Sequence, residues 1–124
     1  MRKFCVLVLA GMLAGCGASQ PTTIHGQAVS YWVQALQDHD TRARKKAVEA
    51  LGNVGAADPA AIPALIGALK DDDAGVRAAA TLALLKIGPD AQDAADALRE
   101  TQKDKDPKVR DYAAKALERI QGGK

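Results

Sequence analysis

The chain has 124 residues, with 17 Lys and Arg against 15 Asp and Glu, 48% apolar residues and only 3% aromatic ones. That length allows one small domain with a core of Ala, Leu, Val and Ile, and it excludes a multidomain enzyme, a large antiparallel β-protein and a polytopic membrane protein. Two cysteines cannot build a disulfide scaffold.

The chain starts with the basic Met1-Arg2-Lys3, followed by Phe4 to Leu13, a run without a charge. A helix needs about 20 apolar residues to span a bilayer, so this run is too short. A basic start, a short apolar run and small residues after it make the pattern of a secretory signal. Leu13-Ala14-Gly15-Cys16 resembles the lipobox of bacterial lipoproteins. That resemblance implies cleavage between Gly15 and Cys16 and a diacylglyceryl group on the Cys16 thiol. Each buried CH₂ of an acyl chain contributes about 0.8 kcal/mol, so two or three chains give a stable anchor. In Gram-negative members of that family an Asp after the cysteine favours inner-membrane retention. Gly17 therefore points to the outer membrane of such a host.

Loss of residues 1–15 removes Arg2 and Lys3 from the 17 basic residues and none of the 15 acidic ones. The mature chain is then neutral, and a nucleic-acid partner, which needs clustered positive charge, is not expected. Cys5 leaves with the signal and Cys16 becomes a thioether. Residues 16–28 are rich in Gly, Ser, Thr and Gln and read as a flexible tether. Such a segment, fully extended, reaches at most about 40 Å, which keeps the domain near the membrane.

From Val29 the sequence repeats at a fixed interval, the one that leads from Asp40 to Asp73 and again to Asp106. Arg44, Arg77 and Arg110 keep the same step. The columns Ala47/Ala80/Ala113, Leu51/Leu84/Leu117 and Val54/Ile87/Ile120 follow. Trp32/Leu65/Leu98 and Val29/Ile62/Ala95 precede them. Each copy reads as two helices. The first helices are expected over Ser30 to Gln37, Ile62 to Lys70 and Ala94 to Lys103. The second are expected over Thr41 to Gly52, Ala74 to Ile87 and Pro107 to Ile120. Asp40, Asp73 and Asp106 sit where an N-cap belongs, and Pro107 fits a first helical position. Gly55 and Gly88 close the second helices. Arg44, Arg77 and Arg110 are expected to form a ladder with Asp carboxylates or carbonyls of adjacent turns, with an anion-binding row as the alternative.

The run from Asp73 to Leu84 resembles the HEAT repeat, in particular the short HEAT-like repeats of phycobilin lyases and many bacterial proteins. Val109-Arg110 repeats its Val-Arg pair and Ala43-Arg44 is a variant of it. The ankyrin Thr-Pro-Leu-His and the tetratricopeptide Trp, Gly-Tyr and Pro pattern do not occur. The resemblance implies an all-α, right-handed solenoid of three hairpins over 29–55, 62–88 and 95–121, with 122–124 as a tail. Arg99 and Gln102 stand where the second copy has Ile66 and Leu69, so they mark a polar C-terminal cap. Tyr31 and Trp32 are expected to cover the first copy.

Catalytic chemistry is not legible. His25 and His39 have no helical metal-ligand spacing. They lack the His-Glu pairs of HEAT-like di-iron hydroxylases. Ser19 and Ser30 lie in no nucleophile motif. No Gly-rich phosphate loop occurs. Asp71-Asp72-Asp73 lacks the spacing of a calcium loop and reads as a solvated turn. Arg42, Arg44, Lys45 and Lys46 form a basic patch, either a solvated helix face or a contact for anionic headgroups. No catalytic residue, metal, cofactor or small-molecule substrate is therefore expected.

One surface stands out. Ala78, Leu82 and Leu85 lie away from the core face of the second helix of copy two, Leu82 and Leu85 about 140–160° from its centre. They form an apolar strip that Lys45, Glu49, Asp111, Lys115 and Glu118 frame, with Tyr112 at the side. An apolar centre with a charged rim suits a protein-binding site. The alternative is that neighbouring helices bury the leucines. The function expected from these observations is that of a non-enzymatic, lipid-anchored scaffold or adaptor of the cell envelope that binds a protein partner. The alternative is an accessory subunit or helper of a chromophore-lyase-like enzyme.

Overall fold

The computed structural model describes residues 23–122. The signal, the Gly15–Cys16 cleavage point and the Cys16 lipid site lie outside the described residues. In chain order the elements are β1 (Thr23–Ile24), β2 (Gln27–Ala28), α1 (Val29–Ala35), α2 (Thr41–Val54), α3 (Ala61–Ala68), α4 (Ala74–Ile87), α5 (Ala95–Thr101) and α6 (Pro107–Gln121). Short 3₁₀ turns over Gly55–Ala57 and Gly88–Ala94 link the hairpins. The helices pair as α1–α2, α3–α4 and α5–α6, and α2, α4 and α6 pack side by side. The fold is a short all-α solenoid.

The second helices start as expected. Asp40, Asp73 and Asp106 hold extended backbone and accept from the N–H groups of Arg42, of Val76, and of Lys108 and Val109, respectively. Each such cap satisfies N–H groups that have no intrahelical acceptor. Gly55 (φ 55°) and Gly88 (φ 72°) end α2 and α4 in a backbone region that glycine adopts without strain. Helix α2 runs past the expected end at Gly52. A Cβ at Gly52 would lie 2.9 Å from the Ala83 Cβ, so this glycine lets α2 and α4 touch rather than stopping a helix.

The core is aliphatic. Leu51, Leu65, Leu84 and Leu98 are fully buried at matching places in the copies, with Val48, Val76, Val109 and Ile120 among them. Trp32 fills the same column in copy one and is buried, whereas Tyr31 stays 49% exposed and meets the Trp32 ring edge-on at 4.9 Å. Trp32 alone therefore performs the covering role expected of both.

Of the segment expected as a tether over 16–28, residues 23–28 are folded. β1 and β2 form an antiparallel hairpin in which Thr23 faces Ala28 and Ile24 faces Gln27. His25 (φ 53°) and Gly26 (φ 78°) are its two central residues, and positive φ at both is what a tight hairpin turn of the right twist requires. The hairpin is fastened by the Trp32 indole N–H, which donates to the Ile24 carbonyl at 3.2 Å, and by Ile24 packing on the core. A composition typical of linkers concealed it.

The arginine ladder is present, and its carboxylate rungs are residues that the repeat columns above leave out. Arg44 donates from Nε (2.9 Å) and Nη2 (3.2 Å) to the carboxylate of Asp71 in the next copy. Arg77 does the same to Asp104 at 2.8 and 3.1 Å. From Nη1 each arginine also donates to carbonyls of its own turn: Arg44 to Asp38 and His39, Arg77 to Asp71 and Asp72, and Arg110 to Asp104. Asp71 is thus not simply part of a solvated turn. Its side chain is 12% exposed and bolts copy one to copy two. The hydrogen bond to Asp71 raises the Arg44 pKa above its ordinary value, and the bond to Asp104 does so for Arg77. Burial pushes the Asp104 carboxyl up. The hydrogen bonds from Arg77 and the Asp106 N–H, with the Arg77 charge, outweigh it and hold the group below the usual Asp range.

Candidate protein-binding groove

The stack of α2, α4 and α6 determines which side chains meet. Each second helix turns one stripe, spaced i, i+4, i+7, towards the next. On α2 that stripe is Lys45, Glu49 and Gly52; on α4, one copy later, it is Ala78, Leu82 and Leu85. Lys45 lies over Gly75, where a Cβ would come 2.7 Å from its Cε and Nζ. On α6 the same stripe is Asp111, Lys115 and Glu118. It turns outward, all three residues are exposed, and Asp111 and Lys115 pair with each other at 2.8 Å.

Two clefts of about 270 and 280 Å³ lie along these helices, and both are lined by Glu49, Ala79 and Leu82. The first extends to Asn53 and Lys86. The second extends to Lys45, Ala78, Lys108 and Tyr112. Leu82, half-buried, is the largest apolar side chain of the floor common to both. Lys108 approaches the Tyr112 ring to 5.8 Å, within reach of a cation–π contact.

The structure thus brings together Lys45, Glu49, Ala78, Leu82 and Tyr112 of the expected surface. It does not bring the rest. Leu85 is half-buried and packs against the core cluster, so the strip narrows to Ala78, Ala79 and Leu82. Asp111, Lys115 and Glu118 do not line the clefts, because they lie on the side of α6 that faces away from its buried residues Val109, Ala113, Ala116 and Ile120. Lys108 and Tyr112, on the flank between, reach the cleft instead. Sequence reasoning missed Lys86 and Lys108. Their signal was spacing: Lys86 stands one helical turn after Leu82 and Lys108 one turn before Tyr112.

A second pair of clefts, on the other side of the stack, follows the repeat. One of about 440 Å³ between α1 and α3 includes Val33, Leu36 and Asp71, and one of about 370 Å³ between α3 and α5 includes Ile66, Leu69 and Asp104. These residues correspond copy to copy, so the clefts are the general seam between first helices rather than a special feature.

Among the described residues no group of three or more His, Cys, Asp and Glu is placed to hold a metal ion. Among them, too, no helix is long and apolar enough to cross a membrane. The sequence matches the family described as HEAT repeats over residues 7–85. No curated protein matches it. The matched span ends inside α4. The α5–α6 hairpin extends the array through the same columns and by packing on α4.

Proposed function

The chain belongs to the HEAT-repeat family, and we propose that it is a lipid-anchored scaffold of a cell envelope that docks a segment of a partner protein in the groove of α2, α4 and α6. HEAT repeats commonly serve as protein-interaction scaffolds. The observation that carries the placement is Leu82. A leucine stands half-exposed on the floor of two adjoining clefts, with Lys45, Glu49, Lys86 and Lys108 at their edges. Burying such a side chain against a partner releases about 1.5–3 kcal/mol at most, and the charges around it set orientation more than affinity.

The lipid on Cys16 rests on the Leu13-Ala14-Gly15-Cys16 resemblance. An anchor would hold the groove close to the membrane and raise its effective concentration for other envelope proteins. Intact-mass analysis of the purified protein tests it, and an unmodified Cys16 thiol refutes it. A photo-crosslinker at position 112 tests the groove in intact cells, with exposed position 90 in the turn after α4 as control. The reading expects one protein captured from 112 and not from 90, and its loss in Leu82→Glu with helicity unchanged. Equal capture from both positions refutes it.

A further inference from the structure

The ladder has two open ends, and they match. Asp38 stands one repeat before Asp71 and two before Asp104. All three are set alike: Asp38 Oδ1 accepts from the Asp40 N–H at 2.8 Å, as Asp71 does from Asp73 and Asp104 from Asp106, both at 2.9 Å. Asp71 and Asp104 each receive an arginine fork from the preceding copy. Among the described residues no arginine reaches the Asp38 carboxylate. At the other end, Arg110 is held by its own turn, Nη1 on the Asp104 carbonyl at 2.6 Å, as Arg44 and Arg77 are held by theirs. Among the described residues no carboxylate meets its Nε or Nη2. One end of the solenoid presents an oriented carboxylate and the other an oriented fork.

We propose that a second copy of this chain docks head to tail, Arg110 of one copy taking Asp38 of the next. The register of the repeats gives a second pair. Lys45 on α2 lies over Gly75 on α4. The same step carried from α6 into the next copy sets Asp111, which occupies the Lys45 position, over Arg42, which occupies the Gly75 position. Arg42 is 91% exposed at the side chain, and Asp111 is 56% exposed. The two ends therefore carry crossed signs in step: Asp38 and Arg42 at one, Arg110 and Asp111 at the other. The step also sets Lys115 opposite Lys46, a like-charge pair that keeps the contact weak and sensitive to salt. The β1–β2 hairpin sits at the start of α1, with β1 also against α2, whereas Asp38 follows the end of α1, about 10 Å away along a helix of two turns. A contact between unlike faces leaves a free end on each copy, so association runs past the dimer until the rotation closes a ring or growth continues as a filament.

Sedimentation velocity of the purified full chain over a concentration series tests the proposal, on wild type, Arg110→Glu, Asp38→Lys and an equimolar mixture of the two variants. The wild type should associate with rising concentration, less so at high salt. Each variant alone should lose at least about tenfold in association constant, since each sets like charges face to face. The mixture should regain association, because one variant keeps Asp38 and the other keeps Arg110. Asp38→Asn retains an acceptor for the Asp40 N–H and serves if Asp38→Lys lowers helicity; it too should weaken association. A wild type that stays monomeric at the highest concentration overturns the proposal. So does association that survives in either variant alone, which would mean that another surface mediates it. The groove reading stands or falls separately, since Leu82 lies in neither end face.

Discussion

Replacing Arg77 with Ala should be the most damaging change in the ladder. Its guanidinium makes two bonds to Asp104 and two to the carbonyls of Asp71 and Asp72. The pair is largely shielded, with side chains 7% and 10% exposed. Removing one member of a buried ion pair strands the other, at about 3–5 kcal/mol. Asp104 keeps the Asp106 N–H, and a thin solenoid keeps water near, so the loss falls at or just below the lower end of that range, about 2–3 kcal/mol. For a domain of this size that is roughly 10–20 °C in Tm. Arg110→Ala removes one bond at an exposed position and should move Tm by no more than about 2 °C. Arg44→Ala should fall between. Thermal unfolding followed by far-UV circular dichroism reads all three. If Arg77→Ala and Arg110→Ala lose the same amount, the ladder does not bind copy to copy and the reasoning fails.

The ladder also predicts an acid limit. Because the folded-state Asp104 carboxyl lies below its ordinary value, the unfolded chain takes up that proton first. Its contribution is complete above about pH 5 and is lost as pH falls through the lower folded value. Asp104→Asn should start less stable and lose less over that window in urea titrations at stepped pH; a parallel loss in both proteins would show that Asp104 is not the group responsible. Gly52→Ala sets a Cβ at 2.9 Å from the Ala83 Cβ. Overpacking of about 1–3 kcal/mol should then outweigh the helix-propensity gain of about 1 kcal/mol, and Gly52→Ala with Ala83→Gly should recover most of the Tm. If Gly52→Ala alone is more stable than wild type, α2 and α4 do not touch there.

The fold was legible because a solenoid writes each contact several times. Asp40, Asp73 and Asp106 cap three helices, and the buried leucines fall in columns, so each copy checks the others. Two things stayed hidden. The β1–β2 hairpin occurs once, in residues chosen for turns rather than packing, and its anchor is an indole hydrogen bond that no periodicity announces. The acceptors of the ladder are periodic, at Asp38, Asp71 and Asp104, yet Asp71 sits in a run of three aspartates that reads as solvated. Of the three adjacent carboxylates, Asp71 is the one that accepts from the N–H two residues on, as Asp38 and Asp104 do, and the one that Arg44 of the preceding copy takes.

The groove was half legible for a related reason. A helical wheel gives the angle of a side chain from the core, not which neighbour lies there. In a stack, the stripe that one helix offers its successor is met by a different stripe of that successor. Lys45 on α2, Ala78 on α4 and Asp111 on α6 are equivalent on the wheel, but a cleft is lined by stripes that face each other. Ala78 and Leu82 therefore meet Lys108 and Tyr112, not Asp111 and Lys115. The column of Gly52, Leu85 and Glu118 shows how far the surroundings decide the residue. Glycine stands where α2 touches Ala83, leucine where α4 packs against the core, and glutamate where α6 turns to solvent. The constant columns hold the copies together, so whatever distinguishes this solenoid's binding surface resides in the columns that vary. Glu49, Leu82 and Lys115 occupy one of these, and only its middle member supplies an apolar floor.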